Sequence, residues 1–298
     1  MRRLLHLGGW FFKARVLGRQ NPLQTVLFIN DQCNLACKHC CIVNRGEPTS
    51  KSLAAIAGEL HYAYGLGSRF VDFEGGEPFL WQDGERGFND LARLAKGLGF
   101  YSATVTTNAQ RPFPGCEADS IWVSLDGLGD YHDAIRGQGA FALALKNLEN
   151  SGHPRLSVNM VINRLNHPSV RETIRFVRDH PKILSISLNF HTPYPGTEDL
   201  FLDWETRNRV LDEIITLKKS GHPIMNSVSG LKRMKDMNFT KRCWVTNFIM
   251  PDGERLAECQ GRKAGLCDRC GFCMAGEMHS VFTLKPDTIL AGLNLRVK

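Results

Sequence analysis

The chain has 298 residues, of which 43% are hydrophobic and 22% charged, and its formal net charge is +7. This composition is typical of a folded globular protein and excludes a disordered chain. The apolar runs are too short for a bilayer-spanning helix, and no basic and aromatic stripe of the kind that binds nucleic acid is present.

Residues 1–20 predict a basic amphipathic helix. No acidic residue precedes Asp31, and Leu4, Phe11 and Phe12 share one face of the helix. The favoured interpretation is a helix that packs over one end of the fold, and the alternative is a helix that lies on an anionic membrane surface. Because the segment lacks the cleavage pattern of a secretory signal, we expect a cytoplasmic protein.

Six strands alternate with helices between residues 21 and 220. The predicted strands are 26–30, 69–74, 102–107, 120–125, 156–162 and 183–190. The predicted helices are 50–64, 89–98, 141–149, 170–178 and 204–219, the first of them starting at a Thr49 or Ser50 cap. Such alternation requires right-handed crossovers and a parallel sheet covered by helices. A complete eight-unit barrel needs about 250 residues, so we expect an α/β fold with a partial (β/α)6 TIM-type barrel.

The alternation stops at about residue 221, where cysteine and glycine become denser. We therefore expect a second, smaller domain over 221–298, rich in cysteine and joined to the barrel near 220–223. In the barrel, polar residues follow the carboxyl ends of the strands, which is the edge where parallel α/β folds bind ligands.

The first cysteine group follows the first predicted strand. Cys33, Cys37 and Cys40 are separated by three residues and then by two. Three thiolates at this spacing are suited to three irons of a [4Fe–4S] cluster and leave the fourth iron open. A structural zinc site is the alternative, but zinc favours four ligands, and Cys41 is a poor fourth because it is adjacent to Cys40. Cys41 and Cys116 are interpreted as small buried hydrophobic residues.

A second motif, Gly75-Gly76-Glu77-Pro78, closes the second predicted strand. Glycines let the backbone approach a ligand closely, and the Glu77 carboxylate is suited to an ammonium group. Loops often have such a composition, so the turn alone is a weak signal. It gains weight because the preceding strand of the predicted sheet ends in the cysteine loop.

These two motifs resemble those of the radical S-adenosylmethionine (radical SAM) superfamily, with His39 just before the last cysteine. The resemblance covers about residues 20–220. It implies that Cys33, Cys37 and Cys40 ligate the cluster and that the turn at Glu77 holds the amino group of SAM. It also implies one-electron cleavage of SAM to a 5′-deoxyadenosyl radical, with an electron donor such as a flavodoxin or ferredoxin as a partner.

Five residues further along are weaker candidates for the SAM site. Ser124 and Asp126 resemble the ribose-side segment of the family. Arg136 is suited to pairing with the methionyl carboxylate, and its alternative is a surface arginine at a helix start. Asn159 and Asn163 are suited to ribose or carboxylate oxygens, and their alternative is turn formation at a strand end.

The loop after the sixth strand contains His191, Tyr194 and Asp199. It borders the expected substrate cavity, where these side chains are suited to holding a substrate or donating a hydrogen atom. A loop histidine with its hydrogen bonds satisfied is the more common outcome.

The second cysteine group lies in the tail. Its members are Cys243, Cys259, Cys267, Cys270 and Cys273. Residues 244–258 predict a β-hairpin with a cysteine at each base. The pattern resembles the twitch or SPASM extension of radical SAM enzymes, and this resemblance implies one auxiliary [4Fe–4S] cluster. Cys243, Cys259, Cys267 and Cys270 fit its ligand pattern best, and Cys273 is the alternative ligand. A zinc knuckle is the alternative.

The sequence therefore predicts a radical SAM enzyme with an auxiliary cluster. The sequence leaves two substrate classes open, a peptide or a lipid or isoprenoid molecule. Only about 20 residues precede the first predicted strand, and the absence there of a separate peptide-recognition domain lowers the peptide interpretation without removing it. The alternative from another class is a non-catalytic iron–sulfur or zinc protein that serves electron transfer or structure.

Overall fold

The computed structural model describes residues 1–42 and 48–297 of the chain. Residues 43–47 of the predicted barrel segment and Lys298 of the predicted C-terminal segment lie outside these ranges. The strands are β1 (Gln24–Phe28), β2 (Phe70–Glu74), β3 (Ser102–Thr107), β4 (Ser120–Ser124), β5 (Leu156–Ile162), β6 (Ile183–Phe190), β7 (Thr246–Ile249) and β8 (Arg255–Leu256). The helices in the first part of the chain are α1 (Arg2–Arg15), α2 (Leu53–Leu66), α3 (Phe88–Gly97), α4 (Asp130–Arg136), α5 (Ala140–Asn150), α6 (Val170–Asp179) and α7 (Trp204–Lys219). The later helices are α8 (Val228–Arg233), α9 (Gln260–Lys263), α10 (Met274–Phe282) and α11 (Pro286–Val297).

These strands form one open sheet in the order β6-β5-β4-β3-β2-β1-β7-β8. The first six pair in parallel with their neighbours, and helices follow them along the chain. The expected α/β partial barrel is therefore confirmed. The predicted hairpin is also confirmed: β8 pairs antiparallel with β7, and β7 continues the sheet by pairing in parallel with β1.

The predicted bounds of the strands and helices agree best with the structure where the apolar pattern is long. Strands β3, β5 and β6 and helix α7 have the predicted bounds. The predicted start of α2 is wrong, because Ser52 is its N-cap and accepts a hydrogen bond from Ala55 N at 3.2 Å. The preceding Lys51 N–H donates to the Ile29 carbonyl at 3.0 Å, which holds that residue against the end of β1 instead of in the helix.

The two faces of the strands differ sharply in polarity. The outer face is apolar and packs under the helices, as shown by the fully buried Phe73 and Val105. The inner face carries polar residues at alternate positions, because successive side chains of a strand point to opposite sides. Among them, Asp72, Thr104 and Asn159 line a cavity of about 150 Å³ inside the barrel. The barrel interior is therefore a polar compartment.

Helix α1 closes the end of the barrel at which the strands begin. Its Leu7, Trp10 and Phe11 pack with Phe70, the first residue of β2, and with Phe282 of α10. The favoured interpretation of the N-terminal segment, a helix packed over one end of the fold, is thus confirmed. Over the described residues, no helix combines the length and apolarity needed to cross a membrane.

The sequence did not predict the helices of the last 80 or so residues. Helices α8, α10 and α11 pack against one another after the predicted loss of periodicity. Glu277 of α10 stabilises this group, because its carboxylate accepts hydrogen bonds from Ser227 N at 2.9 Å and Ser227 Oγ at 2.6 Å. These helices are short, and most of their stability comes from packing against other helices. The sequence pattern alone is therefore too weak to predict them.

Candidate active site at the mouth of the barrel

The two sequence motifs meet because β1 and β2 are parallel neighbours that end together. Phe28 at the end of β1 pairs with Glu74 at the end of β2. Beyond the strands, Gly76 N–H donates to the Asn30 carbonyl at 3.0 Å, and Glu77 N–H donates to the Gln32 carbonyl at 2.8 Å. The turn is thus hydrogen-bonded to the segment that leads into the cysteine loop.

This close approach explains both glycines. A Cβ on Gly75 would overlap the side chain and carbonyl of Asn30, and a Cβ on Gly76 would overlap the carbonyl of Gln32. Any other residue forces these backbones apart. The glycines are therefore required by contact between the two motifs.

The Glu77 carboxylate is enclosed, with 1% of the residue exposed. It accepts hydrogen bonds from Thr107 Oγ1 at 2.7 Å, Asn108 N at 2.8 Å and Phe79 N at 3.1 Å. Burial raises the pKa of Glu77, and these three donors act in the opposite direction. The carboxylate therefore joins the end of β2 to the end of β3, and Pro78 is buried beside it.

Asn108 carries this connection on to the first cysteine. Its Nδ2 donates to Asn34 Oδ1 at 2.8 Å and lies 3.5 Å from Cys33 Sγ, which also accepts from Leu35 N at 3.5 Å. Asn108 directly follows the third predicted strand, at the edge where the sequence predicts ligand binding, but it was not among the predicted SAM-site residues.

The other two cysteines of the loop also have donors close to sulfur. Ile42 N–H donates to Cys40 Sγ at 3.5 Å, and Arg136 Nη1 lies 3.8 Å from Cys37 Sγ. Burial raises the pKa of Cys33, and it raises that of Cys37 to about 11 against the opposing charge of Arg136. Donors aimed at three neighbouring sulfurs fit thiolates that ligate an iron–sulfur cluster, since such donors stabilise anionic sulfur.

Arg136 is the last residue of α4 and is 8% exposed, so its interpretation as a surface arginine at a helix start is wrong. Its Nε donates to Asp126 Oδ2 at 2.7 Å. Asp126 Oδ2 also lies 3.6 Å from His39 Nε2, and Oδ1 accepts from Val161 N at 2.9 Å. Burial alone raises the pKa of Asp126, but Arg136 and His39 outweigh it and the net shift is downward.

His39 is also enclosed, and burial lowers its pKa to about 4. The ring is therefore neutral near pH 7, where it does not act as a cation. Its Nδ1 is buried and has no hydrogen-bond partner among the residues that the structure describes.

The remaining SAM-site candidates divide into two groups. Ser124 and Asn159 are paired residues of β4 and β5, both partly buried, and Asn159 lines the cavity. Asn163 is fully buried instead, and its Oδ1 accepts from Leu165 N at 2.9 Å, as in a turn-forming asparagine. The structure therefore places Asn159 and not Asn163 at the barrel interior.

The loop after β6 holds its histidine by internal hydrogen bonds. His191 Nε2 is 3.0 Å from both the carbonyl and the Oγ1 of Thr197. Asp199 is directed to solvent, with 71% of its side chain exposed, and pairs with Arg164. Tyr194 is buried. His191 thus has the geometry of a satisfied loop histidine.

The tail cysteines dock on the mouth of the barrel at β6. Phe190 N–H donates to the Gly271 carbonyl at 2.9 Å, and Gly271 N–H donates to Thr192 Oγ1 at 2.9 Å. Cys273 N–H donates to Asn189 Oδ1 at 3.0 Å. A Cβ on Gly271 would overlap the Phe190 carbonyl, so the glycine is required for this docking.

All five tail cysteines interact with at least one other member of the group. A hydrogen bond between the Cys243 and Cys259 thiols raises the pKa of Cys243 and lowers that of Cys259. Burial raises the pKa of Cys270, with Cys259 and Cys267 contributing, and Cys273 interacts with Cys270. Across residues 1–42 and 48–297, no three metal-binding side chains converge on a single ion. The thiolates of a cubane cluster bind separate irons and lie further apart than the ligands of one ion.

This fold and this thiol-rich mouth define a partial α/β-barrel enzyme of the class that binds SAM at an iron–sulfur cluster. Residues 27–177, about half of the chain, match the model of the radical SAM superfamily. The chain belongs to the radical SAM superfamily. An enzyme is therefore supported over a non-catalytic metal protein, and the family implies a [4Fe–4S] cluster and SAM.

Curated relatives match over the barrel segment. The chain is 30% identical over 163 residues to the mycofactocin maturase MftC of Mycobacterium ulcerans (strain Agy99), covering 50% of this chain and 42% of the relative. It is 29% identical over 164 residues to MftC of Mycolicibacterium smegmatis (strain ATCC 700084 / mc(2)155), covering 50% of this chain and 40% of the relative. The chain thus covers less than half of the length of these relatives.

Solved structures share the fold. SuiB of Streptococcus suis bound to S-adenosylmethionine aligns with a TM-score of 0.64 at 18% identity, covering 81% of this chain and 61% of that one. The anSMEcpe structure with bound AdoMet aligns with a TM-score of 0.59 at 14% identity, covering 80% of this chain and 74% of that one. These alignments support the open barrel described above.

Proposed function

We propose that this chain cleaves SAM reductively at a [4Fe–4S] cluster held by Cys33, Cys37 and Cys40 and uses the resulting radical to modify a peptide. One observation carries the first part: hydrogen bonds join the turn at Glu77, through Asn108, to the sulfur of Cys33. The two family motifs therefore form one connected site.

When bound, the cluster and SAM supply one-electron cleavage of the sulfonium–carbon bond and a 5′-deoxyadenosyl radical. The protein holds the cluster with three thiolates and supports Cys37 with the charge of Arg136. Because Glu77 is buried and accepts hydrogen bonds from three protein donors, its part would be to fix the turn that would hold the amino group of SAM. Asp126, Ser124 and Asn159 remain the proposed ribose-side and carboxylate-side residues.

The polarity of the barrel interior supports a peptide over a lipid or isoprenoid. Asp72 and Glu74 occupy successive inward positions of β2, and Thr104 Oγ1 donates to Asp72 Oδ1 at 2.8 Å. Burial raises the pKa of both carboxyls, and Asp72 raises that of Glu74 further. An isoprenoid chain would cover the Glu74 carboxyl without offering it a hydrogen-bond partner, at a cost of about 1–3 kcal/mol. The names of the relatives agree with a peptide: MftC is a maturase, and SuiB has been solved with the precursor peptide SuiA.

We further propose one auxiliary [4Fe–4S] cluster in the tail, held by Cys243, Cys259, Cys267 and Cys270. Interactions among these four thiols support this set, and Cys273, which also interacts with Cys270, remains the rival ligand. The position of the group beside β6 would put the cluster at the mouth of the barrel.

Anaerobic reconstitution tests the proposal. The wild-type chain should bind about eight irons and release 5′-deoxyadenosine with dithionite and SAM. Cys37→Ala should lose this cleavage and keep the irons of the tail, whereas Cys270→Ala should keep the first cluster. Cys116→Ala is the matched control, since Cys116 lies outside both groups. Cleavage by the Cys37→Ala variant would refute the assignment, and zinc in the tail would refute the auxiliary cluster alone.

The substrate class has a separate test. Synthetic peptides and isoprenoid lipids are added in parallel, and 5′-deoxyadenosine release is followed together with the mass of each candidate substrate. A mass change in a peptide supports the proposal. Release stimulated only by the lipid, with a mass change in the lipid, overturns the peptide assignment.

Two partners also remain proposals. One is an electron donor such as a flavodoxin or ferredoxin, which replaces dithionite in the assay above. The other is an anionic membrane surface, to which α1 presents the exposed Leu5 and Phe12 beside basic residues. Co-sedimentation with vesicles containing phosphatidylserine, compared between wild type and Leu5→Ser/Phe12→Ser, tests this contact; equal binding of both proteins would count against it.

A further inference from the structure

Arg207 of α7 is a buried arginine whose charge has no carboxylate to balance it in the part of the chain described. It is 0% exposed. Its Nη2 donates to the Cys270 carbonyl at 2.9 Å and lies 3.7 Å from Met237 Sδ. Within the described residues, its Nε and Nη1 are buried without a hydrogen-bond partner, and no carboxylate is among the groups that act on its charge.

Aromatic rings surround this guanidinium but do not balance it. Its carbon lies 4.6 Å from the ring centre of Phe190 and 4.9 Å from that of Trp204. Each such contact is only weakly attractive. Burying an unpaired charge, with two N–H donors left without acceptors, costs more than these contacts return. The described residues therefore leave the charge of Arg207 without a negative group to compensate it.

Burial lowers the pKa of Arg207, and negative charge on Cys273 or Cys270 acts in the opposite direction. Arg207 also donates to the carbonyl of Cys270, one of the proposed cluster ligands. Protonated thiols are neutral and leave the arginine unbalanced. Thiolates on an iron–sulfur cluster give that cluster a net negative charge, which would balance it.

We propose that Arg207 is the counter-ion of the auxiliary cluster and holds its reduction potential above the value the thiolates alone would give. The inference rests on the proposed auxiliary cluster. A positive charge beside a cluster favours the reduced, more negative state, and net charge and hydrogen bonds to sulfur set such potentials. Arg207 is thus a positioning residue for electron transfer.

The test compares Arg207→Met, which keeps the length and loses the charge, with Arg207→Lys, which keeps the charge. Arg209→Met on the same helix is the matched control, because Arg209 is exposed. The midpoint potentials of both clusters are measured in the full reconstituted chain by redox titration followed by electron paramagnetic resonance. Each signal is assigned with the Cys37→Ala chain, which keeps only the tail cluster.

The auxiliary potential should shift negative in Arg207→Met, return towards wild type in Arg207→Lys, and stay unchanged in Arg209→Met. The potential of the first cluster should not move in any of them. An unchanged auxiliary potential in Arg207→Met at full iron content overturns the inference, and so does an equal shift of both clusters.

A stability measurement covers the case in which Arg207→Met loads iron poorly. In the metal-free protein this variant should have a higher melting temperature than wild type, because it removes an unbalanced charge. With iron loaded, the gain should vanish or reverse. A gain of the same size in both states overturns the inference. Zinc in place of iron in the tail would overturn the inference, because it would remove the auxiliary cluster on which the inference depends. The assignment of SAM cleavage to the first cluster would be unaffected.

Discussion

Arg136 joins Asp126 to Cys37: its Nε lies 2.7 Å from Asp126 Oδ2, and its Nη1 lies 3.8 Å from Cys37 Sγ. These residues come from the end of β4, the end of α4 and the loop after β1. A single buried guanidinium therefore links the segment after β4, the proposed ribose side of the site, to the cysteine loop.

The first prediction concerns this pair. Asp126→Ala leaves Arg136 buried without a carboxylate partner and should lower the free energy of unfolding by about 3–5 kcal/mol. Urea unfolding under anaerobic conditions measures the loss. Asp179→Ala is the control, because its pair with Arg178 is exposed and should contribute less than about 1 kcal/mol. Equal effects of the two substitutions would contradict the buried-pair assignment.

The second prediction concerns the contact between the two motifs. Gly76→Ala places a Cβ against the Gln32 carbonyl and should displace the cysteine loop. We expect the variant to lose the irons of the first cluster and keep those of the tail. Iron analysis with spectroscopy measures both. Gly97→Ala at the end of α3 has open space around the added Cβ, and full loading is expected there.

The third prediction concerns Glu77. In Glu77→Gln, one carboxylate oxygen is replaced by an amide nitrogen, so a donor such as Asn108 N–H loses its acceptor. The loss should cost about 1–3 kcal/mol and should weaken SAM binding through movement of Asn108. Unfolding and SAM titration are measured together. Glu117→Gln changes an exposed carboxylate and is expected to leave both unaltered; a normal SAM affinity in Glu77→Gln would argue against the link through Asn108.

The fourth prediction is a pH dependence of stability. Burial raises the pKa of Glu277 from 4.5 to about 7. The folded protein therefore holds this proton more tightly than the unfolded chain, and the resulting stability is complete below about pH 4.5 and lost as the pH rises through 7. The loss should be about 3 kcal/mol.

Glu277→Gln should remove this decline between pH 5 and 8, since its amide does not titrate. Melting temperature against pH, compared with the exposed-site variant Glu172→Gln, measures it. A decline of the same size in Glu277→Gln would assign the pH dependence to other groups.

Part of this site was accessible from sequence because its residues are close along the chain. The spacing of Cys33, Cys37 and Cys40 indicated a cluster, and the turn at Glu77 indicated SAM. Strand and helix periodicity gave the partial barrel, because an apolar face repeats every second or every third to fourth residue. One signal was passed over: polar residues at alternate positions of β2 to β6 indicate a polar interior.

Other features depended on residues far apart in the chain. Arg136 and Asp126 are paired because a helix end returns to the sheet, and Asn108 reaches Cys33 across 75 positions. Arg207 is charged and lies on an amphipathic helix, so its sequence position suggests a solvated surface. Its burial against Cys270 follows from docking of the tail on β6.

The sequence by itself determined the superfamily, the alternation of strands and helices, and the two groups of cysteines, because each depends on local spacing or local periodicity. Tertiary structure alone decided which charges are buried, which donors face sulfur, and which cysteines come together. Those outcomes depend on desolvation and on contacts between distant segments, and neither quantity is encoded in the spacing of neighbouring residues.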